Sequence, residues 1–186
     1  MRQLITLGLL LAPSASAAAP QPSQILKAVG NPASFKPTST DNLDTDSGAG
    51  AKQWMWGEKY SEKEVRLEMI GGNKKAWLWQ SSLNTLKLSQ IGPVKKLLKF
   101  DSGMQGGVTL TGYQITGGPL KGNFVQVTDF GKGEISTSIF ARAYMNAWAQ
   151  GPDAVSGLRQ IRGYFPIYLY LTDKSSLCSR EDFQCY

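Results

Sequence analysis

The chain has 186 residues, of which 41% are hydrophobic and 18% charged, and its formal net charge is +6. This length fits one domain of ordinary size, and the 20 glycines indicate a globular, turn-rich chain rather than a disordered one. The sequence contains no histidine, which excludes Ser-His-Asp and Cys-His triads, His-ligated zinc and imidazole proton shuttles.

Residues 1–18 predict a secretory signal peptide. Arg2 precedes an apolar stretch from Leu4 to Ala12, and a tail of small residues follows Pro13. The apolar stretch is much shorter than the roughly 20 residues that a membrane-spanning helix needs, so we expect cleavage near Ala18 and no membrane span. The mature protein is therefore predicted to be secreted or periplasmic.

Residues 19–52 are predicted to form a short helix and then a polar linker. The helix runs from an N-cap at Ser23 to a stop at Gly30, and the linker that follows is rich in Pro, Ser, Thr, Asp and Gly. Within the linker, Asp41, Asp44 and Asp46 resemble the start of a calcium loop. The glycine hinge and the closing glutamate of such a loop are missing, so no metal site is predicted.

Residues 53–186 are predicted to form a single α+β domain. An antiparallel meander is expected from four segments separated by turn residues, "QWMWGEKY", "EVRLEMIGG", "AWLWQ" and "LNTLKLS". In the second segment Val65, Leu67 and Met69 alternate with charged residues, which predicts one buried and one solvated face.

The second half of this domain is predicted to contain strands and one main helix. "GPVKKLLKF" is interpreted as a short helix or bridging segment, and "VTLTGYQIT" and "NFVQVTDF" as strands joined by a glycine-rich loop. An apolar stripe at helical spacing predicts the main helix from Ser136 to Gln150, and "YFPIYLYLTD" is interpreted as a closing strand. The predicted fold is thus a curved antiparallel sheet, or meander, with one main helix packed on it.

The two cysteines, Cys178 and Cys185, lie near the C-terminus. In an oxidising compartment they are expected to form a disulfide that fixes the end of the chain. Their spacing is not that of a Cys-x-x-Cys redox motif, so a structural role is the preferred interpretation.

Four tryptophans, Trp54, Trp56, Trp77 and Trp79, are the candidate ligand-binding residues. Each pair is spaced two residues apart, so on a strand both members project to one face. Large aromatics of this kind build cores, and they also line grooves for lipids or glycans. We predict that Trp77 or Trp79 is partly exposed in a groove beside the main helix.

No catalytic residue and no cofactor is predicted. Glu62, Glu64 and Glu68 cluster in sequence and leave open a carboxylate-based hydrolase, although such an arrangement is more often a solvated charged face than an acid/base pair. The preferred hypothesis is an exported cell-envelope or periplasmic binding protein for an apolar or amphipathic ligand, lipid or glycan-like. A ligand-free structural or inhibitory partner protein is a third alternative.

The positive charge suggests an anionic envelope surface as a further partner. Lysines interleaved with aromatics also suit single-stranded nucleic acid, but predicted export makes that partner unfavourable.

Overall fold

The computed structural model describes residues 39–43, 51–56, 65–70, 75–81, 86–101, 107–144 and 166–186. Within these ranges nine strands form one antiparallel sheet in the order β1-β2-β3-β4-β8-β7-β6-β5-β9. The strands are Ser39–Leu43 (β1), Ala51–Trp56 (β2), Val65–Ile70 (β3), Trp77–Ser81 (β4), Val94–Asp101 (β5), Thr109–Ile115 (β6), Phe124–Asp129 (β7), Ile135–Phe140 (β8) and Phe183–Cys185 (β9). Two short helices, Pro166–Thr172 (α1) and Lys174–Cys178 (α2), precede β9.

The sheet-rich α+β class and the antiparallel meander agree with the prediction. Strands β2, β3 and β4 pair in sequence order, and β6, β7 and β8 do the same. Glycines shape the β6–β7 loop as predicted, since Gly118 and Gly122 have φ values of 74° and 88°. L side chains rarely adopt this left-handed conformation, which glycine adopts freely.

The main helix is not where the sequence pattern suggested. Residues 135–140 form β8, which pairs with both β4 and β7 at the centre of the sheet. Within the described part of the predicted helix, which ends at residue 144, only residues 142–144 are helical. The predicted stripe placed Ile139 and Phe140 on one side of a helix, whereas the strand sends them to opposite faces of the sheet. The remainder of the predicted helix lies outside the described residues.

Two other predicted elements are also different. β5 is a strand rather than a helix or bridge, and the predicted strand around Pro166 is helix α1. Proline at the first position of a helix is favourable because its missing N–H has no partner there in any case. In the predicted strand "LNTLKLS" the described residues give a 3₁₀ turn at Leu88–Gln90.

The predicted polar linker contributes one strand to the sheet. β1, at Ser39–Leu43, pairs along its whole length with β2. Asp41 therefore lies opposite Gln53 in a strand register instead of in a loop. The predicted signal peptide, the first helix and the rest of the linker lie outside the described residues.

One face of the sheet, here called the tryptophan face, is defined by Val65, Leu67, Met69, Trp77 and Trp79. All five are buried, with at most 4% of their surface exposed. The strand register extends this face across β8, β7 and β6, since residues opposite one another in antiparallel strands share a face.

The opposite face, here called the glutamate face, is defined by Arg66, Glu68, Leu78 and Phe140. It was predicted to be wet. Leu78 and Phe140 are instead fully buried, and Arg66 and Glu68 are half-buried. The centre of the sheet is therefore covered on both sides, which the alternation in β3 alone did not indicate.

A connection from β4 to β5 crosses the tryptophan face. These two strands are four positions apart in the sheet, so the chain between them must pass over β8, β7 and β6. Its described part, residues 86–93, is here called the crossover segment. Thr137 Oγ1, on the tryptophan face beside Ser81, donates a hydrogen bond of 3.0 Å to the carbonyl of Leu86. Leu86 and Ile91 are buried, so this segment covers the centre of the face.

The C-terminal helices pack on the glutamate face and lead to the predicted disulfide. Ile167 of α1 is fully buried against Gly112 of β6, and Cys178 is bonded to Cys185 with 5.8 Å between the Cα atoms. The disulfide prediction is confirmed. A disulfide in a small domain is compatible with an exported protein.

Replacing both Cys178 and Cys185 with serine is expected to lower the free energy of unfolding by about 2 to 3 kcal/mol, the chain-entropy value for so short a loop. The end of the chain should loosen because β9 contributes only three paired residues to the edge of β5. Chemical denaturation of both proteins measures the loss. An unchanged midpoint would show that β9 stays in place without the bond.

Candidate functional site

A row of side chains runs across the tryptophan face in strict strand register. Successive pairs are Leu67 with Trp79, Trp79 with Ile139, Ile139 with Val125, Val125 with Tyr113, and Tyr113 with Lys96. From β4 to β5 the row spans four strand intervals, or about 19 Å at the usual strand spacing. It is here called the cross-strand row.

The buried end of this row contains the predicted tryptophans. Trp77 is 4% exposed and Trp79 is 0% exposed, so the prediction that one of them lies partly exposed in a groove is wrong. Trp54 and Trp56 lie in register with Leu67 and Val65, which puts β3 between the two tryptophan pairs. The side chains of Trp54 and Trp56 lie outside the described part, and the predicted helix beside the groove is replaced by β8.

The indole N–H of Trp79 is a buried donor without an acceptor among the described residues. Leaving such a group unpaired costs about 1 to 3 kcal/mol, and most buried polar groups in folded proteins have a partner. The nearest hydroxyls on this face bond elsewhere, since Thr137 donates to Leu86 and Ser81 donates to the carbonyl of Thr137. The innermost part of the row therefore offers one hydrogen-bond donor within an apolar surface.

The other end of the row opens to solvent. Trp79, Ile139 and Val125 are fully buried, whereas Tyr113 and Lys96 are half-buried. Exposure to solvent increases in the same direction along the neighbouring register row, from buried Thr137 to half-buried Val127 and Thr111. The face thus grades from a closed apolar interior to an open, partly polar surface at β5.

Lys96 supplies the positive charge at the open end. Its Nζ donates to Tyr186 Oη at 2.9 Å and lies 4.2 Å from the centre of the same ring. No carboxylate in the described part lies within ion-pair distance of Lys96, although its positive charge contributes to the lowered pKa of Asp101. The neighbouring Lys99, by contrast, is paired with Asp101 at 2.8 Å.

No protein-family model, curated protein or solved structure matches this chain. The function is therefore argued from the residues themselves. The described part contains no group of His, Cys, Asp or Glu side chains arranged to hold a metal ion. None of its helices has the length and apolar character needed to cross a membrane.

Glu68 is a carboxyl group of the glutamate face whose pKa is raised. Tyr144 Oη donates to Glu68 Oε1 at 2.8 Å. Burial raises the pKa of Glu68 above its ordinary value of 4.5, and the Tyr144 hydrogen bond and the charge of Arg66 offset this effect only in part. The carboxyl group is therefore half-buried and hydrogen-bonded to Tyr144, and it does not lie on a fully solvated face as predicted.

Carboxylate-based hydrolases need two carboxyl groups close together, but the strands on either side of Glu68, β2 and β4, supply no second acid among their described residues. The acids Glu62 and Glu64 lie outside the described part. Asp41 of β1 lies in register with Glu68 through Gln53, two strand intervals or about 10 Å away. The partner of Glu68, Tyr144, was assigned by its sequence pattern to the apolar stripe of the predicted helix. Only the fold shows that it reaches β3.

The pH dependence of folding should report on Glu68. Because the folded state holds this proton more tightly than the unfolded chain, its contribution to stability is complete below the unfolded pKa of 4.5 and is lost as pH rises through the folded pKa. We expect Glu68→Gln, which keeps an acceptor for Tyr144, to gain stability relative to the parent protein as pH rises above 4.5 and through the folded pKa of Glu68.

Denaturant unfolding of both proteins at several pH values gives this difference. Glu134→Gln is the matched control, because Glu134 is exposed in the β7–β8 turn. A difference between the parent protein and Glu68→Gln that does not change with pH would show that Glu68 has the same pKa in both states.

Proposed function

We propose that the chain is an exported cell-envelope or periplasmic binding protein that takes an apolar or amphipathic ligand, lipid or glycan-like, along the tryptophan face. The observation that carries this proposal is the buried indole N–H of Trp79, which has no acceptor among the described residues and lies beside apolar Leu67 and Ile139. A ligand oxygen that accepts this hydrogen bond would remove its cost, and the aromatic and aliphatic neighbours would pack against the rest of the ligand.

Entry of a ligand requires the face to open. The crossover segment lies against the tryptophan face at Thr137, which donates to the carbonyl of Leu86, and both Leu86 and Ile91 are buried. A Cβ atom at Gly92 would lie 3.2 Å from the carbonyl of Gly117, so the segment approaches the β6–β7 loop closely at that point. A connection without strand pairing of its own opens at a lower free energy than the sheet beneath it.

Two alternatives have less support. A carboxylate-based hydrolase needs a second acid near Glu68. The strand register places Asp41 of β1 two strand intervals away, about 10 Å, whereas paired carboxyl groups in hydrolases are about 5 to 9.5 Å apart. A ligand-free partner protein would present a flat aromatic patch. The large apolar side chains exposed in the described part are Phe130 in the β7–β8 turn and Tyr186 beyond β9, at different places on the sheet.

Native mass spectrometry tests the proposal. The protein is produced with its export segment, purified from the medium or periplasm, and measured before and after solvent extraction. It is then mixed with oleate, oleyl alcohol or a maltooligosaccharide. We expect a retained or added mass of lipid or glycan size. A protein that carries no adduct and binds none of the three probes would refute the proposed function.

A further inference from the structure

The crossover segment is held at its start by one hydrogen bond to the sheet. Thr137 Oγ1, in a side chain that is 1% exposed, donates to the carbonyl of Leu86 at 3.0 Å. Thr137 lies opposite Ser81, which follows Trp79 by two places in β4, so this bond lies beside Trp79. Among the described residues, the hydrogen-bond partners of residues 87–90 all belong to the segment itself.

The end of the segment is held more firmly. The carbonyl of Pro93 accepts two hydrogen bonds from Thr116, one from its N–H at 2.8 Å and one from its Oγ1 at 3.1 Å, and β5 begins at the next residue. Gly92, just before this attachment, has a φ of 119°. Glycine adopts such angles without the strain that a side chain would bring, so the chain can change direction here.

The two attachments lie on opposite sides of the cross-strand row. β6 and β8 run in the same direction, since each is antiparallel to β7. Thr137 precedes the row residue Ile139 by two places, and Thr116 follows the row residue Tyr113 by three. The segment therefore crosses the row diagonally, and Val125, in the middle of the row, is fully buried.

From these attachments we infer that the crossover segment is the lid of the tryptophan face, with the Thr137–Leu86 hydrogen bond as its latch and Gly92 as its hinge. This inference rests on the proposed function. When the latch breaks, the start of the segment moves away from Trp79 while its end stays on β6. The ligand then enters beside the indole N–H, which has no acceptor in the described part.

The lid can open without unfolding of the sheet. Five peptide units join Ser81 to Leu86 and span about 17 Å when extended, whereas residues paired as Ser81 and Thr137 are lie only about 5 Å apart, so the chain length allows the movement. Opening breaks the latch and uncovers Leu86, which keeps the closed form predominant. Paired strands open at a higher free energy than a connection of this kind.

Proton exchange of the Trp79 indole N–H tests the lid without any ligand. The exported protein is transferred to D₂O, its indole and backbone N–H signals are followed by NMR, and Trp79→Phe assigns the indole signal. After correction for intrinsic rates, we expect the indole N–H to exchange at least about 10-fold faster than the slowest amides of β7 and β8. Thr137→Val keeps the shape of the side chain and removes the donor. It should speed indole exchange by about 5- to 100-fold, the factor that loss of one buried hydrogen bond supplies.

Thr116→Val is the matched control, because it removes the other threonine hydroxyl that donates to this segment. Its bond to Pro93 lies beyond the hinge and persists in the open state, so indole exchange should stay at the parent rate. Thr137→Ser keeps a hydroxyl donor and should exchange more slowly than Thr137→Val.

An indole N–H that exchanges no faster than the slowest amides would overturn the inference, because only unfolding would then uncover Trp79. Equal acceleration by Thr137→Val and Thr116→Val would also overturn it, since the segment would then leave the sheet at both ends. A probe that binds in native mass spectrometry should associate faster with Thr137→Val than with the parent protein, and equal rates would mean that entry uses another route and overturn the lid. Failure of all three probes to bind would count against the proposed function, whereas the exchange result does not depend on it.

Discussion

Replacing Trp79 with alanine is expected to lower the free energy of unfolding by about 3 to 5 kcal/mol, the usual loss for a large buried aromatic. Trp79 is 0% exposed and packs between Leu67 and Ile139 at the centre of the sheet. Removal of the indole leaves a cavity that two paired strands cannot close. Denaturant unfolding of the two proteins measures the effect.

Trp79→Phe is the matched control because it separates the indole N–H from the ring. The phenylalanine loses some packing but also removes a buried donor that has no acceptor in the described part. These two effects oppose each other, so the loss should be much smaller than that of Trp79→Ala. If Trp79→Phe lowered the free energy of unfolding as much as Trp79→Ala does, the N–H would have a partner that stabilises the folded state.

The same control connects stability with binding. If a ligand oxygen accepts from Trp79, a probe that binds in native mass spectrometry should raise the unfolding midpoint of the parent protein more than that of Trp79→Phe, since tighter binding to the folded state stabilises it more. Equal shifts in the two proteins would show that the ligand does not reach the indole. The fold-stability result for Trp79→Ala is independent of this outcome.

The strands that could be predicted from sequence are those whose pattern depends on local residues. In β3 the alternation of Val65, Leu67 and Met69 is a period-two signal, and turn residues bound β4, β6 and β7 clearly. The cysteine pairing was equally local, since the described chain brings Cys178 and Cys185 together through one short helix and one turn.

The errors arose where tertiary partners decide the element. The apolar residues of β8 fit a helical stripe when read together with Ala143 and Tyr144, and only pairing with β4 and β7 on both sides makes 135–140 a strand. The strand order itself, in which β8 returns to β4 and the chain crosses over to β5, has no local signal. Trp77 and Trp79 are buried, which is the core role that their spacing on a strand allowed as the alternative to a groove.

The cross-strand row was inaccessible from sequence for the same reason. Lys96 and Tyr113 are distant in the chain from Trp79, and their alignment needs the registers of five strands. Even within β5 the register shifts between Lys96 and Leu98, so the alternation of its side chains could not be read from the sequence alone.

Gly112 is the position where the sheet meets helix α1 most closely. A Cβ atom there would lie 2.6 Å from Cγ1 of Ile167 and 3.1 Å from Cγ of Leu98. A glycine inside a strand indicates a close approach of another segment. In this chain the segment is α1, whose Ile167 is fully buried.

Gly112→Ala is expected to lower the free energy of unfolding by about 1 to 3 kcal/mol, because the added methyl group overpacks this contact. Chemical denaturation measures the loss. Ile167→Ala should cost about 2 to 5 kcal/mol alone, by leaving a cavity. In the double variant the two changes compensate, since the new methyl group occupies space that the isoleucine vacates. The double variant should therefore be more stable than the sum of the two losses predicts, by about 1 kcal/mol or more.

Gly112→Ala combined with Leu67→Ala is the control for additivity. Leu67 lies on β3 and on the opposite face of the sheet, so these two losses should simply add. If the losses of Gly112→Ala and Ile167→Ala were additive, α1 would shift away from the sheet at little cost in free energy when Gly112 is changed. Non-additivity confined to the Ile167 pair would show that the contact between α1 and β6 fixes the C-terminal segment to the sheet. The same segment carries the disulfide and Tyr186, which accepts the hydrogen bond from Lys96.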